Sequence, residues 1–321
     1  MERNQVSSQA RKRHFGDLIL DVVVLFVRKI KNEVRLALRT TAGRIGLPIV
    51  VLHLILALFG PWITPYTPTE FHEPLEIYQL QAPSAKFWLG TDQFGRDVLS
   101  RVMAGASTLI GVSLGGAVLG ILLGTIIGMT SGYKGGKIDE AVMRIMDGLM
   151  SFPTLLMALL VMATLAARPA PVAWLEPRWI DLLIVLTIGV VNMPRVARVM
   201  RSTMLKLKEM EFVQSARLRG EPAVYIIFME ILPNAVPTLA VELSVRMSYA
   251  ILTVSSLGFL GLGVQPPSPD WGLMIFQSRQ FLMQAPWVAF APIVAVATLV
   301  LGINLLTDGL RQARGLPLNS G

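Results

Sequence analysis

The sequence predicts an all-α integral membrane protein with six transmembrane helices, and three observations point there. The first is composition: of 321 residues, 53% are hydrophobic and 16% charged, and the mean hydropathy is +0.58. A soluble domain carries about a quarter charged residues, so water is not the main solvent of this chain. The second is six apolar stretches near 45–64, 107–130, 141–166, 180–200, 236–263 and 286–307, each long enough to cross a hydrocarbon core roughly 30 Å thick. The third is how charge sorts between them. Residues 1–46 hold ten Lys/Arg against four acids, while residues 65–106 hold three basic residues against five acids. By the positive-inside rule both termini lie in the cytoplasm, and an even number of spans agrees. The net charge of +8 is then topology information. With no soluble basic face interleaved with aromatics, it does not point to nucleic acid.

Each element can be justified in order. Residues 1–44 read as a cytoplasmic arm. They lack a cleavable signal peptide, because Asp17–Val27 has no small-residue cleavage pattern. Within the arm, Asp17–Arg39 is amphipathic and too short in its apolar part to span, so an interfacial helix on anionic membrane lipid is expected. The first span leads to an external loop, 65–106. There Phe87–Arg101 (FWLGTDQFGRDVLSR) reads as an amphipathic helix capped by Thr91 or Asp92, with Asp92 and Arg96 paired one turn apart. Asp92, Arg96 and Asp97 are expected to hold that helix rather than touch cargo.

The second span carries Gly116, Gly120, Gly124, Gly128 and Gly132 at every fourth position, a smooth stripe on which another helix can approach closely. That helix belongs either to this chain or to a partner. A tight cytoplasmic turn feeds the third span. After the fourth, a cytoplasmic loop at 201–235 carries Arg201, Lys206, Lys208, Arg217 and Arg219. It reads as a short helix opened by Glu211, a break at Gly220, and a second helix restarted by Pro. A negative side chain at Glu211 suits the helix dipole, and Gly220 permits backbone angles that a Cβ resists. Residues 45–310 thus form one membrane domain, and 311–321 a cytoplasmic tail.

Ionisable residues inside spans are rare and mark pairing or function. His53, Asp147, Glu242 and Arg246 stand out. Glu242 and Arg246 lie four apart, as a pair on one helix face or as groups facing a transport pathway. Catalytic chemistry is missing. The chain has no Cys, so disulfides and thiolate chemistry are excluded. Its three His are scattered without metal-ligand spacing. Gly132–Lys137 resembles a phosphate loop only superficially, with Ser131 and Ile138 failing the required pattern. No catalytic residue, metal site or bound cofactor is expected.

Four stretches in order, Phe87–Arg101, Ser131–Pro153, Glu211–Asn234 and Leu257–Met274, resemble the C-type permease subunit of the dipeptide/oligopeptide/nickel family of ABC importers. The likeness runs from about residue 45 to the end. It implies a type I importer permease fold in the bacterial inner membrane and function by alternating access. It also implies a heteromeric complex with a B-type permease, two ABC ATPase subunits that hold ATP and Mg²⁺, and an extracytoplasmic solute-binding protein. In that resemblance Glu211, Val213, Ser215, Ala216, Arg217, Leu218, Gly220 and Pro233 form the coupling loop. Ser215 and Ala216 would allow close approach of an ATPase, and Val213 and Leu218 would supply apolar contact. Peptides are the expected cargo. The chain departs from the family at Ser215-Ala216 (usually Ala-Ala), at Glu221-Pro222, and at Val254, where a Glu is common. A stand-alone secondary carrier or channel is the alternative, and a membrane anchor or scaffold is a third reading.

Overall fold

A computed structural model describes residues 32 and 34–314. The expected interfacial helix falls mostly outside the described residues, as do residues 315–321 of the tail. The described chain is helical, and its one β feature is an isolated antiparallel bridge between Thr91 and Asp97. The helices are α1 (Thr41–Ile63), α2 (Leu75–Tyr78), α3 (Val98–Lys134), α4 (Gly136–Met150), α5 (Thr154–Leu165), α6 (Trp179–Leu207), α7 (Glu211–Leu218), α8 (Ala223–Phe259), α9 (Trp271–Ser278) and α10 (Pro286–Ala313). Five of them, α1, α3, α6, α8 and α10, are each long and apolar enough to cross a membrane.

The expected third span differs. It is a pair, α4 and α5, bent by 80° at Ser151–Pro153. Proline has no N–H to continue a helix and disfavours the helical region at the residue before it, here Phe152. Twelve residues of α5 rise only about 18 Å, so α5 reaches across a bilayer only together with α4. Two ion pairs hold α4 to α6. The Arg201 guanidinium donates to both carboxylate oxygens of Asp139, at 2.6–2.9 Å, and Arg198 pairs with Asp147. Hydropathy averaged over 141–166 is blind to that turn.

α3 runs along α6 over most of its length, and the glycine stripe is the reason. A Cβ on Gly116 would lie 2.6 Å from Ile188, one on Gly120 3.0 Å from Asn192, and one on Gly124 2.6 Å from Val196. At Gly128 it would collide with the Ala197 carbonyl. The stripe therefore packs inside this chain. α1 and α10 approach in the same way, with Gly46 against the backbone at Gly302 and Leu306.

Two apolar cores result. The larger lies toward the 65–106 end and buries Leu109, Ile184, Ile251, Val254 and Trp271. There α9 folds back into the bundle, and the indole of Trp271 donates to the Val102 carbonyl at 2.8 Å. The smaller core lies at the opposite end. It joins Met200 and Met204 of α6 to Val213 and Ala216 of α7 and to Ile226, Ile227 and Ile231 of α8.

Candidate functional site

The segment after α6 has a definite build. α7 is an eight-residue helix whose first turn carries Glu211 and whose last turn carries Arg217. The amide of Glu221 donates to the Ala216 carbonyl (3.2 Å) and that of Gly220 to Arg217 (2.9 Å). Gly220 has φ +77°, with open space where a Cβ would sit, so only backbone conformation demands glycine there. Pro222 then precedes α8. Its first turns contain a π-helical segment, Ile226–Ile231, and Pro233 follows just beyond.

Which side of α7 faces out departs from the sequence expectation. Val213 and Ala216 are both 0% exposed and pack into the smaller core against α6 and the π-helical segment. Both side chains are covered by this chain itself rather than presented on its surface. Residues three apart share a helix face, and the isoleucines of α8 cover that face. The outward face carries Glu211, Gln214, Ser215, Arg217 and Leu218, of which Leu218 is 90% exposed. Val224, at the start of α8, is exposed as well. Arg217 lies 5.5 Å from the Tyr133 ring, and Arg219 pairs with Glu230 at 2.8 Å.

The 65–106 segment also departs in detail. Thr91, Asp92 and Arg96 precede the helix rather than open it. Asp92 closes a tight loop: its Oδ1 accepts the amides of Phe94 (2.9 Å) and Arg96 (3.0 Å), and its Oδ2 accepts from Arg96 Nε at 2.7 Å. Arg101 comes within 3.6 Å of the same carboxylate and donates to the Pro68 carbonyl. The Thr91 hydroxyl donates to the Tyr78 carbonyl and accepts from the Gln81 amide. Asp97 is the true cap, accepting from the amide and hydroxyl of Ser100 at 2.8 and 2.6 Å. A buried acid at 92 satisfied by loop amides leaves the helix to start six residues later, at Val98.

Inside the bundle, Arg246 Nε donates to Glu242 Oε2 at 3.2 Å, both side chains being largely buried. The pair separates two hollows along α6 and α8. One, of about 470 Å³, is lined by Asn192, Arg195, Arg246, Tyr249, Thr253 and Thr154. The other, of about 420 Å³, is lined by Arg198, Ser202, Lys206, Thr238 and Glu242. Arg195 and Arg198 lie within the fourth span yet were not among the ionisable residues singled out from the sequence. Their spacing with Ser202 and Lys206, three and four residues, was the signal that would have found them. Of the other groups singled out, His53 is held by the Ile49 carbonyl at 2.8 Å and stacks edge-on with Trp271. Asp147 is paired with Arg198. Val254 is buried in the larger core. No cluster of three or more metal-ligating side chains occurs among the described residues.

Comparison with known proteins gives a consistent relationship. Residues 116–314 match the family described as binding-protein-dependent transport system inner membrane component. Residues 38–83 match the N-terminal TM domain of oligopeptide transport permease C. The chain is 37% identical over 269 residues to a dipeptide transport system permease protein of Alkalihalophilus pseudofirmus, covering 84% of each. It is 35% identical to a di/tripeptide transport system permease protein of Pseudomonas aeruginosa, covering 84% of this chain and 86% of the relative. It is likewise 35% identical to a glutathione transport system permease protein of Pectobacterium atrosepticum, covering 84% and 85%. In fold it is similar to a chain of the inward-facing MetNI methionine ABC transporter, with a TM-score of 0.51 at 17% identity over 68% of this chain and 97% of that one. The five long apolar helices, the bent pair and the outward-facing α7 are therefore features of a multi-pass permease, and the chain belongs to the family of inner-membrane components of binding-protein-dependent transport systems.

Proposed function

We propose that this chain is the C-type permease of an ATP-driven importer of di- and oligopeptides, working with a B-type permease, two ATPase subunits and an extracytoplasmic solute-binding protein. Both termini and α7 face the cytoplasm, and the 65–106 segment faces outside. ATP and Mg²⁺ are held by the ATPase subunits, and this chain performs no hydrolysis. The relatives' peptide cargo is the basis for peptides here.

The observation that carries the reading is how α7 is mounted. Its inner face is welded through Val213 and Ala216 to Met200 and Met204 of α6 and to the π-helical start of α8. Its outer face presents the exposed Leu218 between polar neighbours. Packed interiors transmit displacement rather than absorb it, so a push on α7 moves α6 and α8 together. Those two helices wall both hollows. Closure of the ATPase pair would thus reach the pathway through one short helix, and alternating access follows as a rigid shift of the walls. Gly220 lets the chain leave α7 and re-enter α8 within a few residues.

The test is reconstitution of the four-part complex with its binding protein in proteoliposomes. Uptake of radiolabelled dialanine that requires ATP on the ATPase side is the expected result. Uptake by this chain alone, without ATPase subunits, would instead make it a stand-alone carrier.

A further inference from the structure

The larger hollow holds a charge that the fold leaves without a counter-ion. Arg195 is the seventeenth residue of α6, about 24 Å along the helix from Trp179 at 1.5 Å per residue. Arg246 is about 20 Å from the Phe259 end of α8. With the 65–106 end outside, Arg246 then lies within a core roughly 30 Å thick and Arg195 near its cytoplasmic edge. Arg246 is neutralised by Glu242. Arg195 is not: among the described residues it donates to the hydroxyl of Thr154 at 3.2 Å and forms no ion pair with a carboxylate.

An arginine within a membrane span calls for an anionic partner or water. Here the guanidinium opens on a cavity of about 470 Å³, within the range of small-ligand pockets. The remaining walls offer Asn192, Tyr249 and Thr253, which can exchange hydrogen bonds with peptide amides. Toward the cytoplasm, Arg198, Ser202 and Lys206 continue the same face of α6 along the second hollow.

We infer that Arg195 takes the free carboxylate of the cargo as it passes, holding it with a forked, charge-assisted hydrogen bond in the cavity shared with Arg246, Asn192 and Tyr249. This rests on the peptide-import reading above and adds the group that recognises the cargo and the chemistry it selects. An arginine suits a carboxylate because its planar fork matches the two oxygens. Arg246, already engaged by Glu242, sets the positive surroundings without competing for the same oxygens. The carboxylate would then move to Arg198 and Lys206 as the walls shift.

The test compares dialanine with its C-terminal amide in proteoliposomes containing the whole complex, read as uptake per ATP hydrolysed. With Arg195→Gln, dialanine uptake should fall about tenfold, the scale of one lost charge-assisted hydrogen bond, while the amide should change less than about twofold. Arg195→Lys should recover part of the dialanine uptake. Equal loss of both probes, or loss of neither, would overturn the inference. If Arg195→Gln fails to assemble, Asn192→Asp decides, because it places a competing carboxylate beside an intact arginine. It should depress dialanine uptake about tenfold in an assembled complex, and unchanged uptake overturns the proposal. Absence of ATP-dependent dialanine uptake by the wild-type complex is a separate result, and it overturns the peptide reading together with this inference.

Discussion

Ala216 and Leu218 lie two residues apart on one short helix and are opposite in kind. Ala216 is sealed between α7, α6 and the start of α8, so a bulky side chain there overpacks a core and costs about 1–3 kcal/mol. Ala216→Trp is expected to lower the melting temperature and yield of the membrane-inserted chain before any coupling can be measured. Leu218→Asp replaces a side chain that touches almost nothing within this chain. It should leave the stability of the chain, co-expressed with its partner permease, within about 0.5 kcal/mol of wild type, the usual range for surface changes, yet lower uptake per ATP in the full complex. Equal melting losses in the two variants would mean that α7 does not sit as described. Asp270 offers a pH test. It caps α9, accepting the Leu273 amide at 2.9 Å, and is fully buried. Burial pushes its carboxyl up to about 6, while an unfolded aspartate titrates near 3.9. Between those values the folded chain binds the extra proton, so the contribution to stability rises as pH falls from about 7 to about 4 and is lost as pH rises through about 6. Asp270→Asn keeps a good cap and removes the titration. Melting curves in detergent at pH 7.5 and 5.5 should show wild type gaining stability at the lower pH by more than the variant does; identical slopes would contradict the assignment.

The glycine stripe shows how much one element depends on its neighbour. Gly124 faces Val196 and the Met193 carbonyl at 2.6–2.7 Å from where a Cβ would lie, so α3 cannot keep its distance from α6 if a side chain is added. Gly111, on the same helix, meets nothing within 4 Å. Gly124→Leu is expected to destabilise by at least the 1–3 kcal/mol typical of overpacking, whereas Gly111→Ala should be neutral or slightly stabilising, since alanine favours helix. Thermal unfolding of the two purified variants checks this, and equal behaviour would mean that α3 and α6 are not in register. The bend between α4 and α5 is the other element-scale feature. Proline starts it, but the angle is held by Asp139–Arg201 and Asp147–Arg198, which join α4 to residues 62 and 51 positions further along the chain.

At the scale of the molecule, one face of this chain is unsuited to standing alone in lipid. Tyr249 is exposed, and Glu242, Arg246, Thr253 and Ser256 lie along the same helix, α8. Polar groups within spans face protein or water rather than hydrocarbon. A second permease covering that face would enclose the two hollows between the subunits. The chain expressed alone is therefore expected to give little monodisperse protein. Co-expression with a B-type permease and the ATPase subunits should give a stable complex, with size-exclusion chromatography and melting temperature as the measurements. A monodisperse single chain with a melting temperature equal to that of the complex would remove the need for a partner on this face.

The sequence by itself determined that this is a multi-pass helical membrane protein and which permease family it resembles. Apolar length and charge sorting are one-dimensional quantities that the bilayer reads directly, and the Gly220 break depends on local backbone preference. The glycine period announced close packing but not the partner helix; that required α6, whose facing residues come some seventy positions later. Tertiary structure alone decided which side of α7 is free. Amphipathic spacing places Val213 and Ala216 on one face, yet only the isoleucines of α8 folding over them make that face the buried one. It also decided that Asp97, not Thr91 or Asp92, caps α3. Asp92 is consumed by amides of its own loop, and a capping signature in sequence cannot show which acceptor a donor will choose. Arg195 was hardest to foresee. A cation at the end of an apolar run looks like a topology signal until Arg246, Asn192 and Tyr249 surround it, because a cavity is made by helices distant in sequence and exists only once they pack.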